Sequence, residues 1–235
     1  MKIAVVGPAY PIRGGISHYT TYLCKALKEK GHEVKLFSFS RLYPSIIFPG
    51  TSQEDTGSRE KIFFDSKRSI DSINPLTWRS TSRKIKEFGP GLVIFQWWTP
   101  LFLPPYLAIS RFLKKNTDAK IIFLCHNIYP HENLLSVKKL ISLAFRYPHY
   151  FIVHSEDDKK KLETIAKNKA IKVSAHPTYA QFNLDNFTKA SARKKLDLKS
   201  KNIFLFFGYV KKYKGLIYLQ DPCKPASFSV DKRRP

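Results

Sequence analysis

The chain of 235 residues is poor in cysteine, with three, and in methionine, with one, and its 41 Lys+Arg face only 18 Asp+Glu. Cys24, Cys125 and Cys223 are odd in number and widely spaced. That argues against a disulfide framework or a zinc site and predicts reduced thiols in the cytosol. Long apolar runs are absent too. Leu92 to Phe95 and Ile121 to Cys125 are of strand length, far short of the roughly 20 residues of a membrane span. Gly7-Pro8 breaks the first apolar run too early for a secretory signal. No internal repeat or low-complexity tract is present.

The shortage of acid leaves a formal charge of +23, unevenly spread: residues 1–188 hold 28 basic and 15 acidic side chains, residues 189–235 hold 13 and 3. Single lysines such as Lys159-Lys160-Lys161 read as the solvated face of a helix. As a set, the excess favours contact with something anionic: lipid head groups, a sugar phosphate or nucleic acid. LLSVKKLISLAFRYPHY places Leu135, Leu140, Leu143 and Phe145 beside Lys138, Lys139 and Arg146. It suits either a membrane-facing helix or a core helix.

What is present in quantity is core material: 43% hydrophobic residues, 18 of them Phe. Apolar runs predict strands at about 2–6, 33–39, 61–64, 91–96, 120–125, 150–154 and 171–175. Helical periods lie between them, at about 15–30, 76–87, 104–116, 134–146 and 156–168. The alternation predicts an α/β fold, a Rossmann-like doubly wound parallel sheet. Ser155, with Asp158 three residues on, predicts a capped helix start. The loop from Leu42 to Arg59 is too long for a simple connector and is either functional or mobile. Composition divides the chain into a domain over 1–180, a basic linker and connecting helix over 181–200, a new strand-led segment over 201–219, and a proline-rich tail over 220–235.

Met1 to Val34 is the most informative stretch. A short strand leads to Gly14-Gly15 and then to a helix with Ile16, Tyr19, Leu23 and Leu27 on one face, stopped by Gly31. Paired glycines before a helix either admit a phosphate or sugar to the backbone N–H groups or serve only the shape of the turn. In an open parallel sheet, ligands bind beyond the carboxyl ends of the strands. Those ends carry Gly7-Pro8, Ser40-Arg41, Gln96-Trp97-Trp98, His126-Asn127, His154-Ser155 and His176-Pro177.

The opening GPAYPIRGGISHYTTYLCKALKEKGHEV resembles the start of the family 4 (GT-B) glycosyltransferases. The likeness continues in order through YPSIIFPG, DSINPLTW, VIFQWWTP, FLCHNIYPHE, VHSEDD, HPTY and FFGYVKKYKG, over roughly residues 1 to 219. It implies a GT-B N-terminal domain followed by the first strand of a donor-binding domain. It also implies retaining, metal-independent transfer from a nucleotide sugar to a glycan or lipid-linked acceptor, with no cofactor. His126 ends the apolar strand IIFLC and corresponds to a histidine that contacts the transferred sugar, which makes it the candidate catalytic residue. Gly14, Gly15, Lys211 and Lys214 are the candidate donor contacts, the lysines facing the diphosphate. Lys214-Gly215 fits the family pattern. Tyr209 stands where an arginine is usual, and Lys211 lacks the bidentate fork of arginine.

Asn127, His131 and Glu132 suit hydroxyl recognition. Gln96 and Trp97 suit a flat acceptor wall, or the tryptophans pack beneath the 42–59 loop. The spacing of His126, His131 and His154 matches neither a helical HExxH motif nor a Cys/His zinc pattern, so no metal site is expected.

After GLIYLQ the resemblance stops, and DPCKPASFSVDKRRP supplies no Glu-x7-Glu element for the nucleotide. The expectation is a truncated donor domain and a polypeptide inactive by itself, cytoplasmic and peripheral at the inner membrane face. The competing class is a basic, non-catalytic subunit that docks on a partner chain or an anionic membrane. Nucleic-acid binding lacks a motif. A dinucleotide site fails because Gly7 to Gly15 does not fit GxGxxG.

Overall fold

A computed structural model describes residues 1–44, 48, 52–55, 63–128, 135–178 and 187–206, with the backbone alone at 135–139. The chain divides into two compact units, Met1–His176 and Pro177–Pro235.

The first unit is built on β1 (Lys2–Val6), β2 (Glu33–Arg41), β3 (Ser66–Asp71), β4 (Leu92–Trp97), β5 (Lys120–Cys125), β6 (Tyr150–Val153) and β7 (Ala170–Val173). They form one sheet in the order β3-β2-β1-β4-β5-β6-β7, and every neighbouring pair is parallel. The expected doubly wound α/β sheet is therefore the observed fold. Its strands are connected through α1 (Gly15–Glu29), α2 (Pro75–Phe88), α3 (Leu103–Asn116), α4 (Leu135–Ala144) and α5 (Glu156–Glu163).

Alternation along the strands separates two cores. Ala4, Val6, Phe37, Phe95, Phe123 and Phe151 pack on one face with Ile85 of α2, Tyr106 of α3, Ile141 of α4 and Leu162 of α5. Ile3, Val5, Leu36, Ile94 and Leu124 pack on the other with Cys24, Tyr19 and Leu23 of α1. The centre of the α1 contact differs from expectation. Ser17, Thr20, Thr21 and Cys24 are its buried residues, and Tyr19, Leu23 and Leu27 flank them. Small side chains let the helix approach the sheet closely, and the threonine hydroxyls are satisfied inside the helix, on the Ile16 and Ser17 carbonyls.

Caps set several boundaries. Asn74 accepts a hydrogen bond from the Leu76 N–H, Pro75 opens α2, and Gly89 closes it in the left-handed region at φ 64°. Ser155 caps α5 as expected: its Oγ accepts from the Asp158 N–H and donates to the Asp158 carboxylate.

Two expectations are corrected. The third strand is Ser66–Asp71. Of the expected strand at 61–64, residues 63–64 are outside any strand and 61–62 lie outside the described residues. An edge strand, hydrogen-bonded along one side only, accepts the polar SKRSID. The segment at 134–146, which suited either a core or a membrane-facing helix, buries Phe145 in the core and leaves Leu140 and Leu143 exposed. The segment NIFLFFG makes no strand over its described residues, and Phe204 and Leu205 are exposed. The second unit does contain the expected short helix, α6 (Lys189–Lys195), capped by Thr188, whose Oγ1 accepts from the Ser191 N–H.

The described part of the 42–59 loop is anchored. Gln53 clamps the Tyr43 backbone with both ends of its amide, at 2.7 Å each. The Arg13 N–H donates to the Gln53 carbonyl and the Asp55 N–H to the Pro11 carbonyl. The loop thus fixes the chain that enters Gly14-Gly15.

Candidate active site

In this strand order the chain winds outward both ways from β1, so the topological switch lies between β1 and β4. Gly7 leaves β1, Gln96 and Trp97 end β4, and His126 and His154 follow β5 and β6, with His176 shortly after β7. These residues come from five different strands to one edge of the sheet.

Gly7 is required by close approach. A Cβ there would lie 2.6 Å from Gln96 Cγ and 2.9 Å from Gln96 Cβ. Gln96 is fully buried and cannot step aside. Gly7→Ala is therefore expected to destabilise the domain by about 1–3 kcal/mol and to push the Gln96 amide against its neighbour. Urea denaturation measures the cost, and an unchanged midpoint would refute this packing argument.

That neighbour is His126. Its Nε2 lies 2.8 Å from Gln96 Oε1, and its backbone N–H donates to the Trp97 carbonyl at 2.8 Å. The ring stands edge-on to Tyr19, centroids 4.7 Å apart, and 5.1 Å from the ring of His154. Burial, then the neighbouring His154 and His176, push the His126 pKa down to about 3. At neutral pH it is an uncharged imidazole. With Gln96 Oε1 accepting from Nε2–H, the lone pair is on Nδ1.

Gly14 and Gly15 precede Tyr19 by about one helical turn, so the glycine loop and His126 belong to one neighbourhood. Gly14 sits at φ 120°, a conformation that favours glycine. Gly15 has no such constraint. A Cβ on either residue would meet nothing within 4 Å, and both are exposed. The turn shape accounts for Gly14, whereas neither backbone conformation nor protein packing demands Gly15.

Asn127 is exposed beside His126. Gln96 and Trp97 do not form an open acceptor wall, because both are fully buried. Gln96 instead orients His126, and the Trp97 ring packs against Phe123 and Phe145, at centroid distances of 6.0 Å and 5.0 Å. Trp98 is the half-buried one, against Phe102 and in contact with Tyr43 of the anchored loop. Arg41, at another strand end, is held by Asp71 at 2.8 Å. His131, Glu132, Lys211 and Lys214 lie outside the described residues.

Sequence spacing missed the grouping of His126 with Tyr19, His154 and His176. The only signal available was that each histidine ends a predicted strand. Cys24 and Cys125 are buried and unbridged, with thiol pKa values raised by burial, which makes them inert.

The model of Glycosyltransferase Family 4 matches residues 13–176, most of the chain and nearly the whole first unit. The chain belongs to glycosyltransferase family 4. No curated protein matches it. Among solved structures, a sucrose-phosphate synthase from Thermosynechococcus elongatus is similar at 14% identity, over 76% of this chain and 91% of that one, with a TM-score of 0.45. An alpha-glucosyltransferase in complex with UDP and a 13-mer DNA is similar at 14% identity, over 73% and 40%, with a TM-score of 0.46. The catalytic domain of Starch Synthase IV from Arabidopsis thaliana, bound to ADP and acarbose, is similar at 12% identity, over 74% and 51%, with a TM-score of 0.43. The family 4 chain thus spans about half or less of the latter two.

Proposed function

We propose that residues 1–176 form the acceptor-side half of a retaining glycosyltransferase that receives its sugar from a nucleotide sugar and passes it to a glycan or lipid-linked acceptor. The observation that carries this reading is the state of His126. A neutral imidazole, fixed by Gln96, stands at the switch-point edge of the sheet, beside a glycine loop with open space before it. With its N–H given to Gln96, such a ring accepts a hydrogen bond from a sugar hydroxyl through Nδ1 at neutral pH without adding charge.

Family 4 membership supports the reaction class. Gly14, Gly15 and the start of α1 would receive the polar part of the donor at a helix N-terminus. Lys211 and Lys214 would neutralise the diphosphate as the bond to the sugar breaks, the role a metal has elsewhere. Exposed Asn127, with His131 and Glu132, would meet acceptor hydroxyls.

Saturation-transfer NMR with a panel of nucleotide sugars tests the assignment on the 235-residue chain. Sugar-ring protons of the correct donor are expected to receive saturation. His126→Ala is expected to weaken that binding by about tenfold, the value of one net hydrogen bond of about 1.4 kcal/mol. Sugar protons that stay silent for every donor, or a signal indifferent to His126→Ala, would refute the assignment.

A further inference from the structure

His126, His154 and His176 form the one cluster of metal-ligating side chains found among the described residues, and it arises only on folding. Each offers one ligand atom, and the three atoms lie within 4.8 Å of one another. The ring centroids are 5.1 Å apart between His126 and His154, and 4.9 Å between His154 and His176. The spacing follows from topology. The three residues leave β5, β6 and β7, consecutive parallel strands at the usual separation of about 4.8 Å.

The hydrogen bonds prepare two of the rings for a cation. His154 Nδ1 donates to the Ser174 carbonyl at 2.8 Å, which places the lone pair on Nε2. That Nε2 is buried and has no hydrogen-bond partner among the described residues. A buried polar atom left so calls for an explanation. His126 gives one nitrogen to Gln96 Oε1 and keeps a lone pair on the other. An outer N–H held by a carbonyl oxygen, with the second nitrogen as donor, is how metal-bound histidines are usually oriented. His176 is exposed, so the cluster opens to solvent.

We propose that His126, His154 and His176 form a three-imidazole site for a transition-metal dication of the zinc class, with its remaining position open to solvent. An ion placed evenly among the three atoms needs each ligand to move in by less than about 1 Å to reach a Zn–N distance of about 2.1 Å. An all-nitrogen set selects zinc, cobalt, nickel or copper over magnesium and calcium, which take oxygen ligands. No carboxylate belongs to the cluster, so the site is distinct in chemistry from a metal that bridges phosphates. Because His126 is shared, an occupied site would withdraw that imidazole from the sugar. This consequence rests on the transferase reading, whereas ion binding does not.

The test is a cobalt(II) titration of the metal-stripped 235-residue chain, followed by visible ligand-field absorption and by displacement with zinc. One ion per chain is expected. His154→Ala and His176→Ala are each expected to weaken binding by about a hundredfold or more, and Gln96→Leu by about ten- to a hundredfold through loss of the outer-shell partner. His32→Ala, before β2, leaves binding unchanged. If His154→Ala fails to fold, the exposed His176→Ala decides. The proposal is overturned by the absence of a ligand-field spectrum, by equal affinity in His176→Ala, or by a loss of binding in His32→Ala. Ion binding is read without sugar, so its failure would leave the transferase assignment standing, and the reverse also holds.

Discussion

Trp97→Ala is expected to be among the most destabilising substitutions in the first unit, at about 3–5 kcal/mol. Against the total of about 5–15 kcal/mol typical of a domain, such a loss leaves the fold marginal. The ring is wholly buried among Phe123, Phe145 and Tyr106, and its removal leaves a cavity that the rigid strands around it cannot close. Trp97→Phe should cost far less, because it retains a ring and deletes an indole N–H that has no acceptor among the described residues. Trp98→Ala removes a half-buried ring and should fall between these two. Urea unfolding of the three variants decides between core and ligand wall. A Trp97→Ala protein as stable as the parent would return Trp97 to the acceptor surface.

Acidification is the second large effect. The pKa of His126 falls from the ordinary 6.5 to about 3 in the folded protein, because burial and the rings of His154 and His176 oppose its charge. Below pH 6.5 the unfolded chain takes up a proton that the folded chain refuses. The folded state therefore loses stability as pH drops from 6.5 toward 3, by about 1.4 kcal/mol per pH unit from this residue. The groups that face His126 are Gln96 of β4, Tyr19 of α1, His154 after β6 and His176 after β7. The pKa of His154 is also lowered, chiefly by burial, with its bond to the Ser174 carbonyl acting the other way. His149 adds to the same trend: burial and the nearby Lys114, Lys120 and Lys169 hold its pKa down. Urea midpoints of the metal-stripped protein at pH 7.5, 6.5 and 5.5 should fall on the acid side. His126→Gln should flatten that slope. A midpoint constant down to pH 5.5 would contradict a half-buried His126 that stays neutral in the folded protein.

The fold was legible because its signals are local and redundant. Apolar runs such as Val93–Phe95 and Ile121–Cys125 stay apolar on successive residues, as strands buried on both faces must. Asn74-Pro75, Gly89 and Ser155 mark helix ends through chemistry that acts within four residues. The third strand was misplaced because the apolar KIFF competes with the polar SKRSID, and pairing with β2, not side-chain polarity, selects the edge. The α1 stripe was displaced because close approach to β1 favours Thr20 and Cys24 over larger residues. Sequence reading singled out His126 from its strand end together with the family resemblance. It did not show that Gln96 would be its partner, thirty positions away in the chain.

The sequence by itself determined the class of sheet, the glycine-led entry into α1, the strand-end placement of the histidines and the family to which they belong. These follow from short-range pattern: period, caps and motif order. Only the tertiary structure decided which side chains of QWW are core. It also decided that Gly7 is small because Gln96 lies against it, and that His126, His154 and His176 share one neighbourhood around Tyr19. The reason is the parallel sheet, whose crossover helices separate neighbouring strands by many residues in sequence while hydrogen bonding brings their ends within a few ångströms.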